Sequence, residues 1–294
     1  MIKFSCIRTS EDMTPVIRDV DIAKFAEKVL FDYRPELLNP GLYGKDPFYE
    51  PELLNPYDFA EHYLEADVEV HDIYTDSNED IIAGAAIFNL QKVKVFDRES
   101  KCTRDIIVAP NTIILDTETV DKWRHEFEFF TIMHEAGHLM LHQKVFRREP
   151  QMGFYTRGEV PGSSEDTMLC MRSNIGRSTG GLKTSEDFRE HQANTFAASM
   201  LMPPRVFIPF VQLLMQKYRR FREEGLMITY DFAWGDPRYG YFLEIVNSTA
   251  RQFGVSSKAV KVQMAKYGLR ADPKDADVRE ARRRLKMYQS LYRY

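Results

Sequence analysis

The spacing of apolar positions changes period several times along the chain. In DIAKFAEKVLFD, residues 21–32, Ile22, Phe25, Ala26 and Val29 recur at helical intervals and predict a helix with one buried face. PELLNP stands at 35–40 and again at 51–56, around a stretch rich in Gly, Pro and Tyr. A match this short reads as two similar turns rather than a repeat. In the second copy Asn55 suits an N-cap and Pro56 the first turn of a helix running to about Glu65. From 68 to 116 the runs IIAGAAIF, KVKVF, RDIIV and TIILD are short and β-branched, separated by Asp, Asn, Ser and Pro, the texture of a small sheet.

Helical spacing returns near 121 in DKWRHEFEFFTIMHEAGHLMLHQ. Trp123, Phe127, Phe130 and Met133 are its candidates for burial, and Thr119 or Asp121 its cap. Residues 147–184 form an excursion rich in Gly, Ser, Arg and Met, and loops of that length are uncommon without a function. The next helix, SEDFREHQANTFAASML, starts near Ser185 and is stopped by Pro203 and Pro204. The remainder of the chain is mostly helical in pattern. The whole therefore predicts an α+β chain in three segments: a helical extension over 1–55, a mixed domain over 56–215, and a helical C-terminal region over 216–294.

Composition narrows the function classes. With 44% hydrophobic and 29% charged residues the chain is ordinary globular material. A net charge of −4 exerts no global pull on nucleic acid or anionic membrane, so contact with DNA would have to be local. The N-terminus lacks the apolar core and cleavage site of a secretory signal. The apolar stretch 81–88 is too short to span a bilayer. Three scattered cysteines, Cys6, Cys102 and Cys170, build neither a disulfide framework nor a cysteine-based zinc knuckle. The expected setting is a reducing cytoplasm, without a membrane.

The candidate chemistry lies in TIMHEAGHLMLHQ, residues 131–143. His134 and His138 enclose Glu135 in the pattern HExxH. Residues four apart lie about 6 Å along one helical face, so both imidazoles can reach one ion. Glu135 is placed to take a proton from water there. His142 lies eight residues beyond His134, about 12 Å along the axis, too far to share an ion on a straight helix. Leu141 and Lys144 stand where a metzincin has its helix-breaking glycine and its third histidine. A third ligand must then come from elsewhere. Glu190 on the later helix fits, with His191 as the competing ligand, and Asn194, four residues after Glu190, could orient a ligand histidine.

HEAGHLMLH followed by EHQANTFAASMLMP resembles the ImmA/IrrE family of zincin-like metallopeptidases, whose hallmark is HExGHxxxH and then ExEANxFAxxLLMP. The likeness extends back to TIILD, which resembles the family's edge strand before the active helix. It implies a zincin-like, gluzincin-type fold with a small sheet over the HExxH helix, Zn2+ on His134, His138 and Glu190, and Glu135 as catalytic base. Gln192 departs from the family, which usually has a second glutamate there. The segment around 245–269 also resembles the family's C-terminal "FxVSxxAVxxRLxxLGL", with helix-turn-helix-like geometry, Gly254 at the turn and Ser256 capping.

The implied function is a zinc-dependent endopeptidase acting on a protein substrate, a helix-turn-helix (XRE-type) repressor of a mobile element or stress regulon. On this reading a strand ending near Asp116 takes the substrate onto a sheet edge. Tyr155, Arg172 and His142 are candidates for stabilising the oxyanion, and the excursion is a candidate lid or substrate wall. The rival reading is a zinc-binding regulatory or antitoxin-like protein that acts by binding protein or DNA without proteolysis, with Cys170 as a fourth, redox-sensitive ligand. The basic tail, net +4 over 274–294, suits a solvated helix face as well as DNA.

Overall fold

The structure is a computed structural model that describes residues 1–5, 8–38, 53–74, 82–122, 125–146, 167–171, 182–218, 221, 228–229, 237–271 and 274–291. The chain is mixed α and β, predominantly helical. Its contacts divide it into two compact units, Met1–Phe25 with Asn55–Ala197, and Ala26–Leu54 with Ala198–Tyr294. The division differs from the segments 1–55, 56–215 and 216–294. Residues 1–25 share a unit with the HExxH helix, because Arg189, His191 and Gln192 of the later ligand-bearing helix bond to Asp12, Thr14, Pro15 and Asp19.

In the first unit, α1 (Asp19–Tyr33) begins, and Ile22 and Phe25 of its apolar face are buried. Asn55 caps α2 (Pro56–Asp58) by accepting from the Tyr57 N–H, with Pro56 in the first turn. The helix then widens into a π turn over Phe59–Tyr63, so this helix takes the form expected from Asn55 and Pro56. Five strands come next: β1 (Asp67–His71), β2 (Ile82–Ile87), β3 (Gln91–Asp97), β4 (Cys102–Val108) and β5 (Thr112–Asp116). With β6 (Thr167–Met171) they build a four-stranded sheet in the order β1-β5-β2-β6 and a separate hairpin, β3-β4.

The place of TIILD in this sheet corrects one expectation. β5 is no edge strand. It pairs with β1 in parallel, Asp67 opposite Thr112 through His71 opposite Asp116, and with β2 antiparallel on its other side. All five of its residues are buried, as suits a central strand. The edges are β1 and β6, and β6 comes from the long excursion. The caps are also placed differently: Asp116 caps α3 (Thr117–Asp121) by accepting from the Glu118 N–H, while Thr119 is buried and donates to the Ala83 carbonyl.

The sheet has two working faces. Ala85, Ile87 and Ile114 pack with Val93, Val95 and Val108 of the hairpin into one apolar cluster. The opposite face, at Gly84, meets α4 (His125–Leu141), the HExxH helix. Period-two alternation thus assigns one face of β2 to the core and the other to the site. Trp123 lies outside the described residues; Phe127 and Phe130 are half-buried and Met133 is buried. α4 gives way to the short α5 (Gln143–Phe146). α6 (Ser185–Leu201) opens where expected, its first turn acidic.

The second unit is helical. Pro203 and Pro204 end α6 and open α7 (Pro204–Gln216), which buries Val206, Phe207, Ile208, Val211 and Met215. The segment around 245–269 forms a helix, a turn and a helix, as its sequence suggests: α8 (Pro237–Phe253), Gly254 with φ +61, and α9 (Ser257–Lys266), where the Ser256 hydroxyl accepts from the Ala259 N–H. The short β7 (Ile228–Thr229) pairs in parallel with β8 (Arg270–Ala271). Before α10 (Asp275–Leu291), Gly268 takes φ +79, and a Cβ there would lie 2.1 Å from the Ala281 carbonyl oxygen. Only glycine fits that crossing. Among the described residues no single helix is long and apolar enough to cross a membrane.

Candidate metal centre

Two helices of the first unit build the centre. α4 is apolar on nearly every side and its residues from Thr131 to Leu141 are all buried. His134 and His138 stand one turn apart on it, both with no solvent exposure. α6 presents Glu190, 5% exposed, and Asn194. The two helices come close at Gly137, where a Cβ would lie 3.2 Å from the Ala193 Cα and 3.2 Å from Phe196 Cδ1. Glycine at this point lets the second helix approach the first, which accounts for a residue that weakens a helix in isolation.

The three ligand candidates converge. Ligand atoms of His134, His138 and Glu190 all lie within 4.8 Å of one another. The two Nε2 atoms are 2.9 Å apart, and the Glu190 carboxylate oxygens are 3.4 Å from that of His134 and 3.3 Å from that of His138. Among the described residues neither Glu190 oxygen has a hydrogen-bond partner. A buried carboxylate without a hydrogen bond, facing two imidazole nitrogens, is costly unless a cation is shared among them. The donor set fits a metal ion with two nitrogens and a carboxylate.

Electrostatics agree. Burial alone would raise the Glu190 carboxyl, but the imidazoles of His134 and His138 outweigh it and hold it well below the ordinary carboxylate range. Burial depresses His134 too, yet Glu190 and Glu135 beside it turn the net shift upward. Burial prevails at His138, whose pKa is lowered. Without metal the positive charge therefore favours the His134 ring over that of His138. Burial, with His138 adjacent, takes His142 well below its ordinary value, so that ring is neutral.

Around the centre each imidazole is fixed from behind. His134 Nδ1 lies 3.2 Å from Asn194 Oδ1, the orienting contact expected of Asn194. His138 Nδ1 lies 3.0 Å from His142 Nδ1, and His142 Nε2 lies 3.0 Å from Gln192 Oε1. The Gln192 amide in turn donates to the Pro15 carbonyl at 2.7 Å. His142 is buried and lies outside the ligand group, and with both ring nitrogens engaged it has no donor to offer an oxyanion. His191 faces away from the centre and meets Asp19 at 2.7 Å. Tyr155 and Arg172 lie outside the described residues, as does the side chain of Cys170.

Glu135 is fully buried, between the metal candidates and the sheet. A Cβ on Gly84 would stand 3.3 Å from Glu135 Oε1, 2.9 Å from Thr131 Cγ2 and 3.0 Å from the Ile114 carbonyl oxygen. Gly84 thus gives Glu135 its room. Sequence spacing indicated Asn194, but nothing local marked Gly84 or Pro15, whose parts depend on long-range packing.

No protein-family model matches the chain, and no curated protein does. Among solved structures a Mycobacterium tuberculosis transcriptional regulator aligns with a TM-score of 0.36 and 12% identity, over 84% of this chain and 47% of that one. The chain therefore spans about half the length of that protein.

Proposed function

We propose that this chain is a zinc-dependent endopeptidase of the ImmA/IrrE kind, with a zincin-like fold, that cuts a protein substrate of the helix-turn-helix repressor class. One observation carries the reading: a buried His134, His138 and Glu190 group with Glu135 beside it on the same helix as the histidines. The intact Glu135 favours catalysis over a structural role, since a closed structural site takes four protein ligands and needs no base. Zinc is the metal that two imidazoles and one carboxylate suit, and when bound it supplies Lewis acidity toward a carbonyl and a water of lowered pKa.

The chain's own groups do the rest. Glu135 takes the proton of the attacking water on a carboxylate oxygen and returns it to the leaving amine. Its burial against β2 excludes bulk water from that transfer. Asn194 holds the His134 ring in place. With β5 internal, an extended substrate adds to β6, the edge on the β2 side, where β2 carries Gly84 against Glu135.

The test is incubation of the purified protein with a repressor encoded beside its gene. Native protein yields a defined cleavage product, and Glu135→Gln yields none while still binding zinc. Cleavage by Glu135→Gln at the native rate would remove the proposal.

A further inference from the structure

We propose that His142 and Gln192 are positioning residues for His138, through a proton-ordered chain that ends on the main-chain carbonyl of Pro15. The proposal rests on the reading of this centre as the zinc site of a peptidase. It starts from an atom with no freedom: a proline carbonyl can only accept a hydrogen bond. The Gln192 amide 2.7 Å from it must therefore turn its NH2 that way, which decides an orientation that amide atoms alone leave open. The carboxamide oxygen then faces His142 Nε2 at 3.0 Å and can only accept, so His142 Nε2 carries the proton.

A neutral imidazole has one N–H, so His142 Nδ1 is bare. It lies 3.0 Å from His138 Nδ1, which must therefore be the donor. With its proton on Nδ1, His138 has its Nε2 lone pair directed at His134 and Glu190, 2.9 and 3.3 Å away. Three residues from separate parts of the chain, Pro15, Gln192 and His142, thereby impose one tautomer on one ligand. His134 reaches the same state in a single step, through Asn194.

Gln192 has a second consequence. Where the resembling family usually has a glutamate, an ionised carboxylate would accept from His142 but has no proton for the Pro15 carbonyl. The carboxamide does both, and so ties residues near Pro15 to the ligand-bearing helix. Neighbouring side chains of α6 hold the same segment: Arg189 donates to Asp12 at 2.9 Å and to Thr14 Oγ1 at 2.8 Å, and His191 meets Asp19. The N-terminal segment is in this sense part of the metal centre.

Two measurements test the chain. Long-range 15N–1H NMR of the histidine rings in the native protein should show Nε2–H on His142 and Nδ1–H on His138, with and without zinc. Gln192→Leu, which fills the space without an acceptor, should weaken zinc binding about 10–100-fold in a chelator competition and shift the visible spectrum of the cobalt-substituted protein, with circular dichroism unchanged. If Gln192→Leu does not fold, the tautomers in native protein decide. Native protein that binds no zinc overturns both this proposal and the peptidase reading. Native protein that binds zinc and cleaves, but shows Nδ1–H on His142 or an unchanged zinc affinity in folded Gln192→Leu, overturns this proposal alone.

Discussion

Glu135 and Gly84 face each other across the interface between α4 and β2, and neither position tolerates its neighbour's enlargement. Alanine at 84 brings a methyl group to 2.9 Å from Thr131 Cγ2 and 3.0 Å from a backbone oxygen, with Glu135 Oε1 at 3.3 Å. Overpacking of this kind costs about 1–3 kcal/mol, and the backbone contact leaves little room for relief. Gly84→Ala should lower the unfolding free energy in urea by that amount and, on the peptidase reading, reduce cleavage by displacing the Glu135 carboxylate. A variant as stable and active as the native protein would show that the room at 84 is not needed.

The three buried histidines set opposite pH dependences. His138 and His142 have depressed pKa values in the fold, so the unfolded chain binds more protons below the ordinary value of 6.5, and stability is lost there as pH falls. His134 has a raised value through Glu190. Its contribution is complete below 6.5 and is lost as pH rises through the raised value. The lowered Glu190 adds stability above the ordinary carboxyl value of 4.5, lost as pH falls through its folded value. For zinc-free protein these rings oppose one another, His138 and His142 losing stability as pH falls below 6.5 and His134 as pH rises above it. On the zinc reading the ion would displace the His134 proton, so its stabilising effect should grow as pH rises above 6.5. Thermal melts on both sides of that value, with and without zinc, check both signs.

At the scale of elements, the close approach of α4 and α6 is as much a part of the centre as its ligands. Gly137 permits it. Alanine there gains about 1 kcal/mol of helix propensity but presses on the backbone of Ala193, between Glu190 and Asn194 along α6. The two effects oppose each other in stability and not in metal geometry. Gly137→Ala should therefore change the unfolding free energy by less than about 1 kcal/mol while weakening zinc affinity about tenfold. Urea unfolding of zinc-free protein beside a chelator competition separates them. The helix-turn-helix-like pair α8 and α9 is a second case of an element defined by its ends, with Gly254 in the left-handed region and Ser256 closing the first turn.

For the whole molecule, all the residues of the metal centre and its supports belong to one compact unit, Met1–Phe25 with Asn55–Ala197. A bound ion stabilises the state that binds it by mass action, and at His134, His138 and Glu190 it would join helices that are distant in sequence. Removing zinc with a chelator should raise amide exchange over residues 131–142, 188–196 and the segment near Pro15. Exchange in α8, α9 and α10 should remain as it was. Uniformly faster exchange across the chain would mean that the metal holds far more of the molecule than its own unit.

How much of this was legible in the chain tracks the range of the forces involved. The i, i+4 spacing placed His134 with His138 and Glu190 with Asn194, since helical periodicity is a property of a few consecutive residues. The same rule excluded His142 from the ligands, and cap chemistry at Asn55, Gly254 and Ser256 is equally local. By itself the sequence determined which side chains share a face, and through the family resemblance which glutamate to expect opposite the histidines. The tertiary structure decided what those faces meet. TIILD has the composition of a strand, but only pairing on both sides makes β5 central and passes the edge to β6. His142, a candidate oxyanion donor in the sequence, took its place behind His138 only once Gln192 and the Pro15 carbonyl closed its hydrogen bonds from far along the chain. Strand order and buried polar partners depend on contacts between distant segments, and no local pattern records them.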